Sequence, residues 1–263
     1  MVLTADNYYS QEANFTYMSV SQFKSFECCE AAAMAELRGE YQPPKTTAFL
    51  VGSYVDAWFE GSLNSFKMHN PEIFKRDGSL KAEYIQAERI IDRVRRDRIF
   101  MDYMAGEKQR IFTGELIGTK RKIKTDSRIP DKQDHLKIVR TLEPIMGVSF
   151  ITHWNYDMQG GVYQIIEYQY SKIMKPFFIA AATKEEPTNM EVIHIPQYAL
   201  DEALSYIEHR MPHVLAVKQG GLPPERCGVC PYCRSTKILT GPIDMEDVGY
   251  SAKQLREMRG EYQ

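Results

Sequence analysis

Three cysteines stand two residues apart in the run Cys227-Gly-Val-Cys230-Pro-Tyr-Cys233, and the other two, Cys28 and Cys29, lie almost two hundred residues earlier. Three thiols at that spacing plus one distant thiol make four ligands, and four thiolates suit an iron–sulfur cluster or a structural zinc ion. Zinc usually takes its ligands as two close pairs, so a triplet with one remote partner favours a 4Fe–4S cluster, with zinc as the alternative. Such a centre ties a helix near the start of the chain to a tail near its end, and ligation energy there is folding energy. Spacing alone leaves open which of Cys28 and Cys29 is the fourth ligand.

A second constellation lies mid-chain. Asp126 ends the run Lys122-Ile-Lys-Thr-Asp126, and eleven residues later Lys137 follows in His135-Leu-Lys137-Ile-Val. Cleavage of a phosphodiester needs carboxylates to hold one or two Mg²⁺ or Mn²⁺ ions, which polarise the phosphate and lower the pKa of the attacking water. A nearby lysine orients that water or stabilises developing negative charge. In a strand, positions 135 and 137 share one face. Asp56, in Gly52-Ser-Tyr-Val-Asp56, offers a further metal ligand, and Glu115 is another candidate acid. Gln159 and Tyr163, in Gln159-Gly-Gly-Val-Tyr163, are four apart and therefore share one helix face. An acid on one strand followed by acid-x-Lys on the next is the PD-(D/E)xK signature.

The elements that must position these residues follow from periodicity and caps. Residues 1–18 are polar and aromatic and read as an extended arm. Ser19 or Ser21 caps a helix carrying Phe23, Phe26 and the alanines from Ala31 to Ala35. Residues 46–60 read as a second helix and 81–98 as a surface helix with Tyr84, Ile85, Ile90, Ile91 and Val94 on one side. Strands are expected over 109–117 and 120–129, joined at Gly118, and over 132–139. A long helix over 151–170, strands at 177–183 and 191–195, and a helix over 198–218 complete the order. That order is an α/β fold: a mixed central β-sheet flanked by helices. The whole of 1–263 reads as one domain, with 19–40 and 222–240 forming its metal-cluster part.

Composition bounds the partners. The chain has 263 residues, 43% of them apolar and 26% charged, with a formal net charge of −2. Nucleic-acid binding therefore needs a local basic surface, for which Lys120, Arg121, Lys122 and Lys124 are candidates. No run approaches membrane-spanning length and no leader is evident. Cysteines confined to two clusters favour metal ligation in a reducing cytosol over disulfides. Arg93, Arg95, Arg96 and Arg98 alternate with Asp92 and Asp97 and read as helix-surface ion pairs. Trp58 and Trp154 read as core.

Taken in order, several segments resemble one family. They are Tyr17-Met-Ser-Val-Ser-Gln-Phe23, Ala48-Phe-Leu-Val-Gly-Ser-Tyr-Val-Asp-Ala57, Gly114-Glu115, Trp154-Asn-Tyr-Asp-Met-Gln159, Ala180-Ala-Ala-Thr-Lys-Glu185 and Cys227-Gly-Val-Cys-Pro-Tyr-Cys-Arg234. With the strand motif they resemble the RecB-like branch of the PD-(D/E)xK nucleases, and within it the RecE-type phage and prophage exonucleases that carry an iron–sulfur cluster. The resemblance covers almost the whole chain. It implies a restriction-endonuclease-like fold and a metal-dependent exonuclease acting on double-stranded DNA ends in the host cytosol. It also implies a single-strand annealing protein as partner, and toroidal relatives make a homo-oligomer an expectation. Cys29, in Cys29-Glu-Ala31, is implied as the first cluster ligand, with Cys227, Cys230 and Cys233 as the others.

The chain departs from that pattern where the chemistry is decided. The family places Asp or Glu two residues before the lysine, and here that residue is His135. Three readings stay open. A bulge rotates Asp134 into the site; or His135 ligates the metal through a neutral imidazole, although Mg²⁺ prefers oxygen; or catalysis is impaired and the protein binds DNA or a protein partner through the same cleft.

Overall fold

The computed structural model describes residues 1–260. In place of the expected extended arm, Ser10 caps a short helix, α1 (Gln11–Thr16), that buries Ala13. Ser19 caps α2 (Val20–Cys28), its hydroxyl 3.1 Å from the amide of Gln22. Cys29 adopts extended backbone, ending α2, and α3 (Glu30–Leu37) begins immediately after it. Thr46 caps α4 (Thr47–Phe59), which is followed by α5 (Leu63–His69), α6 (Ala82–Val94) and α7 (Arg98–Tyr103). The single helix expected over 81–98 divides because Asp97 caps a new one, its carboxylate 2.9 Å from the amide of Phe100.

Strands β1 (Arg110–Leu116) and β2 (Thr119–Thr125) form an antiparallel hairpin. Its two-residue turn, Ile117-Gly118, has positive φ at both positions, the turn whose twist matches that of the strands. Next come β3 (Ser127–Arg128), β4 (Gln133–Val139), α8 (Phe150–His153) and α9 (Tyr156–Ser171). The expected continuous helix over 151–170 is broken at Asn155, which takes a left-handed φ of 52°. Then follow β5 (Phe177–Thr183), β6 (Met190–Ile195), α10 (Gln197–Lys218), α11 (Pro231–Ser235) and α12 (Ala252–Met258). Apart from the hairpin, the strands form one sheet in the order β3-β4-β5-β6. Its central pair, β4 and β5, is parallel and its outer pairs are antiparallel, so the sheet is mixed. A parallel pair requires a crossover, and α8 and α9 lie within it.

The chain divides into two compact units, one spanning Lys45–Tyr206 and the other joining Met1–Pro44 to the chain from Ile207 onward. In the first, alternation along the strands sorts side chains to two faces. Leu136, Ala180 and Ala182 pack under α4 and α6 with Tyr54, Val55, Ile90 and Ile91. Val139, Phe177, Ile179 and Ala181 pack on the other face with Phe150, Ile151 and Leu200. Trp58 packs against the first of these clusters, whereas Trp154 is 49% exposed and is not core. Gly160 lets α9 approach closely, since a Cβ there would sit 2.7 Å from both Phe177 Cδ1 and Leu200 Cδ2. Deeper along α9, Glu167 is buried and accepts from Arg128 Nε at 2.8 Å, from Lys175 Nζ at 2.5 Å and from Gln133. Two cations and an amide thus compensate one buried carboxylate and pin α9 to the start of β4.

The second unit joins the two ends of the chain. Lys218, at the end of α10, donates to Asn14 O and Gln22 Oε1, both at 2.9 Å. His213 lies 2.6 Å from Glu30 Oε1, and the other Glu30 oxygen accepts from the amide of Glu225 at 2.8 Å.

Candidate active site and thiol metal centre

Asp126 follows β2 directly, at the open edge of β4. Because β3 pairs only with Gln133 and Asp134, the amide of Leu136 has no ladder partner on that side. It donates instead to Asp126 Oδ2 at 3.2 Å. The same oxygen lies 3.1 Å from His135 Nδ1. That contact calls for hydrogen on Nδ1, since a lone pair there would face a carboxylate, and the Gln159 amide beside the same nitrogen then has to turn its oxygen rather than its NH2 to the ring. The His135 ring is fully buried, stacked on Phe177 at 5.2 Å between centroids and met edge-on by Tyr163 at 4.6 Å. Gln159 brings its side-chain amide 3.2 Å from His135 Nδ1. The helix-face expectation for Gln159 and Tyr163 is therefore realised on His135 itself. Lys137, two positions on, projects from the same side of β4, with its Nζ 5.3 Å from the centre of the Tyr156 ring.

From the other side, α4 supplies Asp56. Burial and then the negative charge of Asp126 push its carboxyl up to about 8, with Lys137 and Lys124 opposing. That mutual influence places Asp56, Asp126 and Lys137 in one electrostatic neighbourhood. Asp126 shifts the other way: burial opposes ionisation, but His135, Lys137 and the Leu136 amide hold it down at about 2. Burial also pushes the His135 imidazole below its ordinary range, against the opposing pull of the Asp126 carboxylate.

Asp134 does not enter this site. The β4–β5 register runs without interruption from Gln133 to Val139, so no bulge turns it, and it faces away from His135 and Lys137. Both of its oxygens are buried without a hydrogen bond, and burial pushes the carboxyl up to about 8. Glu115 is also separate. Its register partner is Lys120, at the turn end of the hairpin, whereas Asp126 follows Thr125 at the opposite end. Five extended residues, roughly 17 Å, separate the two ends. The basic run does not form one surface either: Arg121 and Lys122 are buried, while Lys120 is exposed.

Two neighbours have no counterpart in the motif reading. Glu60 lies one helical turn after Asp56 and is raised by burial, with Lys124 and Asp126 among the charges around it. Lys108 is lowered by burial, against the opposing pull of the Asp126, Asp134, Glu60 and Asp56 carboxylates. The i, i+4 spacing of Asp56 and Glu60 was the one available sequence signal for this pair.

In the unit that joins the chain ends, Cys29, Cys227, Cys230 and Cys233 converge with all four sulfurs within 4.8 Å of one another. The helix break at Cys29 turns its thiol inward, while Cys28, on the last turn of α2, is exposed. Main-chain amides aim at the sulfurs: Cys227 N at Cys29 Sγ (3.5 Å), Cys230 N at Cys227 Sγ (3.3 Å) and Cys233 N at Cys230 Sγ (3.4 Å). Burial raises Cys29 to about 12, whereas at Cys227 the amides of Cys230 and Val229 outweigh burial and bring the thiol down to about 7. Four convergent sulfurs with amide donors behind them form a donor set suited to a thiolate-bound metal.

Comparison with known proteins agrees with this geometry. No curated protein matches the chain. A crystal structure of a presumed exonuclease from Eubacterium rectale superposes with a TM-score of 0.91 at 46% sequence identity, covering 95% of this chain and 98% of that one. Residues 19–236 match the family described as a PDDEXK-like domain of unknown function (DUF3799). The mixed sheet, the Asp126 and Lys137 edge and this match over most of the chain lead to one assignment: the chain belongs to the PDDEXK-like family and has the fold of its nucleases.

Proposed function

We propose that the protein is a divalent-metal-dependent exonuclease that degrades linear double-stranded DNA from its ends. What supports this reading is the position of Asp126 and Lys137 at the open edge of β4, with Asp56 of α4 near enough for each to act on its charge. A bound Mg²⁺ or Mn²⁺ would supply Lewis-acid polarisation of the phosphate and a more acidic water. Asp126 and Asp56 would hold the ion, and Asp56 would give up its proton to do so. Lys137 would set its ammonium against the charge that builds on the phosphate oxygens. Gln159 and Tyr163 would act one step back, fixing the His135 ring. The 46% identity to the presumed exonuclease supports the exonuclease class. The resemblance to RecE-type proteins supports duplex ends as substrate and an annealing protein as the recipient of the resulting single strand, in phage-type recombination.

A second reading, a DNA- or partner-binding relative without catalysis, is favoured by one observation: the position of the usual acid is His135, buried and engaged with Asp126. Degradation of end-labelled linear duplex with Mg²⁺ or Mn²⁺, beside a covalently closed circle, separates the two. Loss of the linear substrate alone supports the exonuclease. No product above a Lys137→Ala control rules out the exonuclease.

The thiol centre is structural in this proposal, since phosphodiester hydrolysis transfers no electrons. Its ligand order, one remote cysteine and a triplet, favours a 4Fe–4S cluster. The sulfur separations of 3.5 Å for Cys29–Cys233 and 3.9 Å for Cys227–Cys233 favour zinc, because Zn–S bonds of about 2.3 Å set tetrahedral edges near 3.8 Å. Iron and zinc content of anaerobically purified protein, read with its visible absorbance, decides between them.

A further inference from the structure

We infer that His135 is a positioning residue for Asp126 rather than a metal ligand, and that the site consequently holds a single divalent cation. The inference rests on the metal-dependent reading above and deepens it. Three observations carry it. First, the His135 Nδ1–H and the Leu136 N–H both take Asp126 Oδ2, at 3.1 and 3.2 Å, which leaves Oδ1 for a cation. Second, the remaining imidazole nitrogen, Nε2, is buried without a hydrogen-bond partner, on a ring packed between Phe177 and Tyr163. A ligating nitrogen would have to face the carboxylates, and the one that does is already committed to Asp126. Third, the other acids nearby do not make up the shortfall. Asp134 lies on the opposite face of β4, and both oxygens of Glu60 are engaged, Oε1 by Gln109 Nε2 at 2.6 Å and Oε2 by Ser62 Oγ at 3.4 Å.

Two-ion phosphodiester sites need a carboxylate shared between the ions and further oxygens for each. Asp56 and one oxygen of Asp126 provide for one. The arrangement is a carboxylate held by an imidazole so that its free oxygen points where it is needed, an outer-shell function whose loss costs about 10–100-fold in metal affinity.

Manganese binding to the full-length protein tests this without reference to activity. Mn²⁺ titration followed by electron paramagnetic resonance should give one ion per chain. The spin-echo spectrum should lack the ¹⁴N modulation of a directly bound imidazole. His135→Ala should weaken binding about 10–100-fold with the echo spectrum unchanged, and His135→Asp should raise the stoichiometry to two. Imidazole modulation in the wild-type spectrum, or two ions per wild-type chain, overturns the inference while leaving the metal-dependent reading in place. Binding no stronger than to Asp126→Asn overturns both. The wild-type spectrum and stoichiometry suffice even where a variant fails to fold.

Discussion

Gly160 of α9 and Phe177 of β5 are so closely apposed that a single methyl group cannot be placed between them: a Cβ on Gly160 would lie 2.7 Å from Phe177 Cδ1. Phe177 is also the ring on which His135 stacks, and Gln159, the neighbour of Gly160, brings its amide to His135. The helix-to-strand approach and the geometry at Asp126 are therefore linked through two side chains. Gly160→Ala should destabilise the protein by about 1–3 kcal/mol through overpacking and weaken divalent-ion binding at the same time. Thermal melts with and without Mn²⁺ measure both. An unchanged Mn²⁺ affinity in a destabilised variant would separate packing from site geometry.

Lys137→Ala should leave the fold intact, because the lysine is only half-buried on the strand edge. Its loss removes one charge aimed at the developing phosphate anion, which is worth about 10²–10³ in rate. Single-turnover degradation of linear duplex, alongside circular dichroism, checks this. Asp126→Asn should be at least as severe, since it removes the cation's anchor as well.

Asp56 predicts a pH dependence with a definite sign. Its carboxyl is raised from an ordinary value of 3.8 to about 8 in the folded protein. Below that ordinary value both folded and unfolded chains hold the proton, so the group makes no difference. Between the two values only the unfolded chain releases it, so metal-free stability falls as pH rises through this window and levels off above about 8. A divalent cation replaces the proton, so the stabilisation it confers should grow over the same interval. Melting temperatures at fixed Mn²⁺ across pH 5–8.5 measure the difference, and Asp56→Asn should flatten it.

Cys28 and Cys29 should behave oppositely despite being adjacent. Cys29→Ser removes a buried sulfur from the convergent group, and should lose bound metal and lower the melting temperature. Cys28→Ser alters an exposed thiol outside the group and should do neither. Metal content per chain, with calorimetry on the same preparations, distinguishes them.

Much of the candidate site was legible in the linear chain. The Cys-x-x-Cys-x-x-Cys run, the Asp126 to Lys137 spacing and the Gln159 to Tyr163 helix face are local patterns, and a strand or helix converts local spacing into a shared face without further information. The mixed sheet and its flanking helices were legible for the same reason. The misreadings arose where a cap or a backbone break competes with periodicity: Ser10 and Asp97 start helices that apolar spacing did not announce, and left-handed Asn155 divides a helix that reads as continuous.

Sequence by itself determined which residue types are present to do chemistry: the four thiols, the two acids, the lysine, and a histidine where an acid is usual. Only the tertiary structure decided which of them meet. Register puts Glu115 at the far end of its hairpin from Asp126, and an uninterrupted β4 keeps Asp134 on the wrong face. The backbone break at Cys29, not at Cys28, directs one thiol inward. What His135 does was likewise undecidable from its position in the chain. Its role depends on which nitrogen faces Asp126, and that is set by rings and amides from α9 and β5, elements more than twenty residues away in sequence.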